Sequence, residues 1–188
     1  MKVLVACESS GIVRDAFREA GHDAWSCDLV PSEKEGPHLQ TDVRAVLDQG
    51  WDLMIAHPPC TFLASSGARW FKQRREQQAI ALLFVKHLMD CAIPRIAIEN
   101  PVSVISTFIR KPDQIIQPRE FGHEERKTTC LWLKGLPPLK PIAYMPYRYR
   151  NVTPSGQNIL GPSATRQRER ARTYPGVAFA MAQQWGVE

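Results

Sequence analysis

Two side chains able to do covalent and acid–base work stand just past apolar runs. Cys60 ends His57-Pro58-Pro59-Cys60, which follows the run Leu53 to Ala56. Glu99 opens Glu99-Asn100-Pro101, which follows Ile96-Ala97-Ile98. A thiolate is a nucleophile, and a carboxyl can hold or deliver a proton. An unperturbed thiol is only slightly ionised near neutral pH, so Cys60 needs activation by its loop or by a base. Proline cannot donate to a sheet ladder, so each run should stop as a strand where its prolines begin. Thr61, Ser65, Ser66 and Gly67 then suit a loop or helix entry. The plainer readings are a buried, inert cysteine and a surface or helix-capping acid. What sets the two residues apart is position, because ligands bind at the carboxyl ends of strands in open α/β sheets. If the two strands are parallel neighbours, both residues reach one pocket.

The elements that must carry them alternate. Lys2 to Cys7 reads as a strand, Glu8-Ser9-Ser10-Gly11 as a turn, and Ile12 to Ala20 as a helix with apolar residues at 12, 13, 16, 17 and 20. Gly21 suits a C-cap, and Asp23 to Leu29 reads as a second strand with Asp28 at its end. Strand, tight turn, helix, then strand ending in an acid is the layout of a nucleotide-binding unit. Residues 30 to 41 read as a loop, and Thr41-Asp42-Val43 as a strand end or helix cap. Gln73 to Asp90 reads as a helix with Ala79, Leu82, Leu83, Val85 and Leu88 on its apolar face. Residues 102 to 120 have no clear period, Cys130 to Leu133 reads as a strand, and a last helix starts near Pro175. The alternation predicts an α/β fold: a Rossmann-like, mostly parallel sheet with helices on both faces.

The 188 residues suffice for a single domain with its own core, and 44% hydrophobic against 23% charged residues is an ordinary globular balance. No apolar run approaches the roughly 20 residues of a membrane helix. The five cysteines are widely spaced with no CxxC pair, which argues against a disulfide framework or a metal site and for a reducing cytoplasm. The net charge of +5 is concentrated between residues 142 and 172, where Arg148, Arg150, Arg166, Arg168, Arg170 and Arg172 face a single acid, Glu169. Beside tyrosines, such a block suggests phosphate contact, with a solvated loop as the plainer reading.

In order, the turn, the acid after strand two, Asp42, Pro59-Cys60 and Glu99-Asn100 resemble the DNA cytosine-5 methyltransferases over about residues 1 to 135. The family's Pro-Cys motif matches Pro58-Pro59-Cys60. Its Glu-Asn-Val matches Glu99-Asn100-Pro101, with proline for valine. Its glycine-rich first motif falls on Cys7, Ser9 and Gly11, where only the last residue is kept, and its Gln-x-Arg-x-Arg falls on Glu125, Lys127 and Thr129. The resemblance implies a class I methyltransferase-like fold and S-adenosyl-L-methionine as cofactor, with Cys7, Ser9, Ser10, Gly11, Asp28, Asp42 and Pro58 around it. Cys60 would attack C6 of cytosine, Glu99 would serve ring N3, and Lys127 or Arg126 would lie near O2 or the phosphates. The basic segment stands where the family carries a large target-recognition region. That implies DNA bound mainly through its phosphates, or sequence reading by a partner protein.

Other readings stay open. His57-Pro58-Pro59-Cys60 also resembles the Asp/Asn-Pro-Pro-Tyr loop of adenine-N6 and cytosine-N4 methyltransferases. The altered first motif would suit a non-catalytic DNA-binding protein on the same fold, and the short recognition region would suit a free nucleotide. For several residues the expectation is structural. His57 should cap its loop, His123 and Cys130 show no ligand spacing, Trp132 and Trp185 should be core, and Gln73 to Gln78 should be a solvated helix start.

Overall fold

The computed structural model describes residues 1–146, 149–150 and 171–187. Its centre is a seven-stranded sheet in the order β3-β2-β1-β4-β5-β8-β6. The strands are β1 (Lys2–Ala6), β2 (Asp23–Asp28), β3 (His38–Gln40), β4 (Leu53–Ala56), β5 (Arg95–Pro101), β6 (Gln114–Ile116) and β8 (Thr129–Lys134). A short strand outside this sheet, β7, covers Glu125–Arg126. Strands β3, β2, β1, β4 and β5 run parallel, while β8 is antiparallel to both β5 and β6. This is a mixed, mostly parallel sheet.

Period-two alternation splits the core into two layers. Val3, Val5, Leu53, Ile55, Ala97 and Leu131 face helices α1 (Ile12–Glu19) and α4 (Pro175–Trp185). Leu4, Ala6, Met54, Ala56, Ile96, Ile98 and Trp132 face α2 (Arg75–Asp90) and the single turn α3 (Ile105–Phe108). Both faces of the parallel strands are covered, which is why those strands read as unbroken apolar runs. Trp132 and Trp185 are core residues, each 1% exposed.

Several expectations need correction. The segment 30–41 contains the edge strand β3, paired to β2 through Ser26–His38. β5 does not stop before its acid: it continues through Pro101, with Glu99, Asn100 and Pro101 opposite Leu131, Cys130 and Thr129. The buried stripe of α2 is Gln78, Val85 and Leu88, whereas Ala79 and Leu83 are exposed. Gln78 is therefore not solvated; it donates to the Phe62 carbonyl at 3.0 Å and anchors the segment after Cys60. Arg148, Arg166, Arg168 and Arg170 lie outside the described residues, and for Arg150 only the backbone is described. No described helix is long and apolar enough to cross a membrane.

Candidate active site

β4 and β5 pair in register, Ala56 beside Ile98, so the next residues on each chain are also neighbours. His57 and Glu99 fall on the α1/α4 face, and His57 Nδ1 lies 3.2 Å from Glu99 Oε2. One residue on, the Asn100 side chain donates to the Pro58 carbonyl at 2.8 Å. The His57 backbone N–H donates to Ala6 at 2.9 Å, which ties the loop to β1 as well. His57 does not merely cap its loop: its ring bridges two strands. Cys60 is exposed at the far end of the loop, and its carbonyl accepts from Leu63 and Ala64 at 3.0 and 2.9 Å, which curls the chain into the next segment.

Glu99 is partly buried, with 16% of its side chain exposed. Burial pushes its carboxyl up, but the His57 hydrogen bond, the His57 charge and the Lys127 charge outweigh it, and the net direction is down. Across the ladder, burial first and then the Glu99 charge push the Cys130 thiol up. A small pocket beside Glu99 is lined by Lys127, Thr129, Arg172, Tyr174 and Val177, among others. Lys127 also stands 5.7 Å from the centre of the Tyr174 ring. Glu99 and Lys127 therefore share a pocket, while Cys60 is not among its lining residues. Arg172, expected on nucleic acid, pairs with Glu33, and Arg126 is exposed. His123 Nε2 accepts the Gly176 N–H at 3.0 Å, a structural bond at the start of α4.

The expected cofactor residues gather at the carboxyl ends of β1, β2, β3 and β4. Cys7 follows β1 with φ +58°, a left-handed conformation that costs a β-carbon-bearing residue about 1–2 kcal/mol. Gly11 is also left-handed, at φ +71°, and a β-carbon there would meet the Arg14 guanidinium at 2.5 Å. The Ser9 carbonyl accepts from Glu33 at 2.8 Å. Ser10 is buried and donates to Glu8. Asp28 accepts from Val30 at 3.2 Å, and Asp42 caps the following turn and is chelated by Arg44. Burial, then Asp28, Cys27 and Asp42, push the Cys7 thiol far up, so the two carboxylates impose a negative field at the end of β1. Burial and then Asp28 push Cys27 up to about 11.

That field and the place of Asp28 at the end of β2 would fit the cationic, nucleoside part of S-adenosyl-L-methionine. Glu8 bears on its other end. The buried Glu8 carboxylate accepts from the Val13 N–H at 2.8 Å and the Arg14 N–H at 3.2 Å, filling the anion position at the α1 N-terminus. The cofactor's carboxylate would need a donor elsewhere.

Sequence reasoning missed four residues. Glu8 and His57 are noted above. Arg14 is wholly buried and bonds Asp15, Ser26, Ser32 and the Glu35 carbonyl, clamping the β2–β3 connection onto α1. Trp70, 46% exposed, sits in the one-sided basic stretch after Cys60, with Arg69 and Arg74 stacked at 5.1 and 5.9 Å from its ring. The run from Thr61 to Arg75 holds Arg69, Lys72, Arg74 and Arg75 and no acid, a signal that was present in the sequence.

No family model matches the chain, and no curated protein does. Among solved structures, a protein described as a candidate DNA modification methyltransferase encoded within an E. coli prophage aligns with a TM-score of 0.49 and 14% identity. The alignment covers 87% of this chain, and the chain spans 56% of that protein's length.

Proposed function

We propose that this chain is an S-adenosyl-L-methionine-dependent DNA methyltransferase acting on C5 of cytosine through a Cys60 adduct. One observation carries the reading: the loop bearing Cys60 is bonded, through His57 and Pro58, to the strand end bearing Glu99 and Asn100. When bound, the cofactor supplies an electrophilic methyl group on a sulfonium.

The rest belongs to the chain. The Cys60 thiolate adds to C6, and the electron pair of the C5–C6 bond becomes available at C5 for the new carbon–carbon bond. Glu99, carrying a proton, gives it to N3 as negative charge develops on the ring, and Lys127, in the same pocket, offsets charge at O2. A base then takes the C5 proton, the C5–C6 double bond reforms, and the thiolate leaves. In duplex DNA the base must first be turned out of the stack, at a cost of a few kcal/mol. The exposed Trp70, with Arg69 and Arg74, suits contact with unstacked bases and phosphates beside that loop. His57 Nδ1 already faces Glu99, which leaves it poorly placed to hold an exocyclic amine.

The test is methyl transfer from a labelled donor to cytosine-containing DNA, followed by nucleoside analysis. The expected product is 5-methylcytosine, lost in the Cys60→Ser protein. N4-methylcytosine, N6-methyladenine, or full transfer by the Cys60→Ser protein would overturn the reading.

A further inference from the structure

Nearly all buried polar atoms in folded proteins are partnered, and an exception beside a candidate site calls for an explanation. His57 is one. Its side chain is 8% exposed and Nδ1 faces Glu99, but no described group reaches the buried Nε2. The chain carrying the ring is held in place. Its backbone is bonded to β1, and the next residue is bonded to β5. A ring so placed faces Oε2 of Glu99.

The groups facing the pair come from three directions. Lys127 approaches from the β7–β8 connection, Cys130 lies on β8, and Arg172 and Tyr174 stand before α4. Lys127 favours the ionised form of Glu99.

We propose that His57 is the positioning residue for Glu99, and that the two act as one acid–base unit with a single exchangeable proton. This rests on the reading of Glu99 as the partner of N3. The Nδ1 proton passes to Oε2, and the carboxyl so formed gives a proton to N3. His57 is left neutral and Glu99 ionised. When the thiolate leaves, the proton returns by the same route. Methyl transfer that needs this proton falls as pH rises and the unit loses it.

Two variants separate this from a merely structural role. His57→Asn keeps a donor for Oε2 but carries no exchangeable proton. Its kcat should fall about 100-fold near neutral pH, and activity should recover towards acid pH, where Glu99 itself holds the proton. An active wild type with an unchanged pH profile in the Asn variant would overturn the proposal. The second measurement needs no activity: carbon-13 titration of the Glu99 carboxyl, labelled in the full chain. In His57→Ala the carboxyl should titrate at higher pH than in wild type, because burial is no longer opposed by the hydrogen bond. No upward shift would overturn the coupling, whatever the reaction proves to be. A wild type that makes no 5-methylcytosine but shows the carboxyl shift would overturn the proton route and the proposed activity, while leaving the His57–Glu99 contact in place.

Discussion

The Asn100 side chain donates to the Pro58 carbonyl at 2.8 Å, and both residues are buried. This bond joins β5 to the loop carrying Cys60 at a position where no ladder bond exists, because the sheet pairing of β4 has ended. Asn100→Leu should cost about 1–3 kcal/mol, the usual penalty for stranding a buried polar partner. Urea unfolding would read that cost. Methyl transfer should fall further than stability alone predicts, because the loop carrying Cys60 loses its tie to β5. Loss of stability without that extra loss of activity would show that the bond only supports the fold.

Arg14 makes a second prediction. Its guanidinium is 0% exposed and holds Ser26, Ser32 and Glu35 together, while Gly11 and Gly36 leave it room. Removing one partner of a buried charged network costs about 3–5 kcal/mol. Arg14→Ala should show that loss in denaturant melts, and limited proteolysis should cut first within residues 30–37. Uniform destabilisation without early cutting there would argue against a clamp.

Asp42 predicts a pH dependence. The Arg44 side-chain hydrogen bond, then the backbone bond, lower its carboxyl to about 2. A lowered native pKa means stability that is present above the unfolded value and lost as pH falls through the native one. The site is 40% exposed, so screening keeps the effect below about 1 kcal/mol. Asp42→Asn should be slightly less stable than wild type at neutral pH. The gap should close between about pH 4 and about pH 2, as acid-range thermal melts can measure. A gap that widens there would contradict the sign.

Trp70 and Arg74 predict a binding result. Base stacking on an aromatic ring is worth about 1–3 kcal/mol per base, and a phosphate contact adds about 1 to the salt slope. Trp70→Ala should weaken single-stranded oligonucleotide binding about tenfold or more, and Arg74→Ala should flatten the salt dependence. Fluorescence anisotropy at several salt concentrations would show both. Unchanged affinity in both variants would place the DNA elsewhere.

What was legible in the sequence was whatever depends on neighbours along the chain. The apolar runs of β1 and β4 are buried on both faces, so composition alone marks them. The spacing of Val13 and Phe17 marks α1. β3 was missed because an edge strand of three residues needs no apolar run. β5 was cut short because Glu99 and Pro101 look like a loop, while β8 supplies the pairing that keeps them in the strand. The face of α2 was misjudged because Leu83 looks like core and Gln78 does not. A hydrogen bond to Phe62 reverses that order.

The sequence by itself determined the order of strands and helices and put a thiol and a carboxyl at two strand ends, because local period and proline stops are written residue by residue. Tertiary structure alone decided that His57 faces Glu99 across 42 residues of chain, that Glu8 fills the start of α1, and that Arg14 is buried. A side chain's partner depends on which strand lies beside its own, and that adjacency is fixed only when the sheet closes.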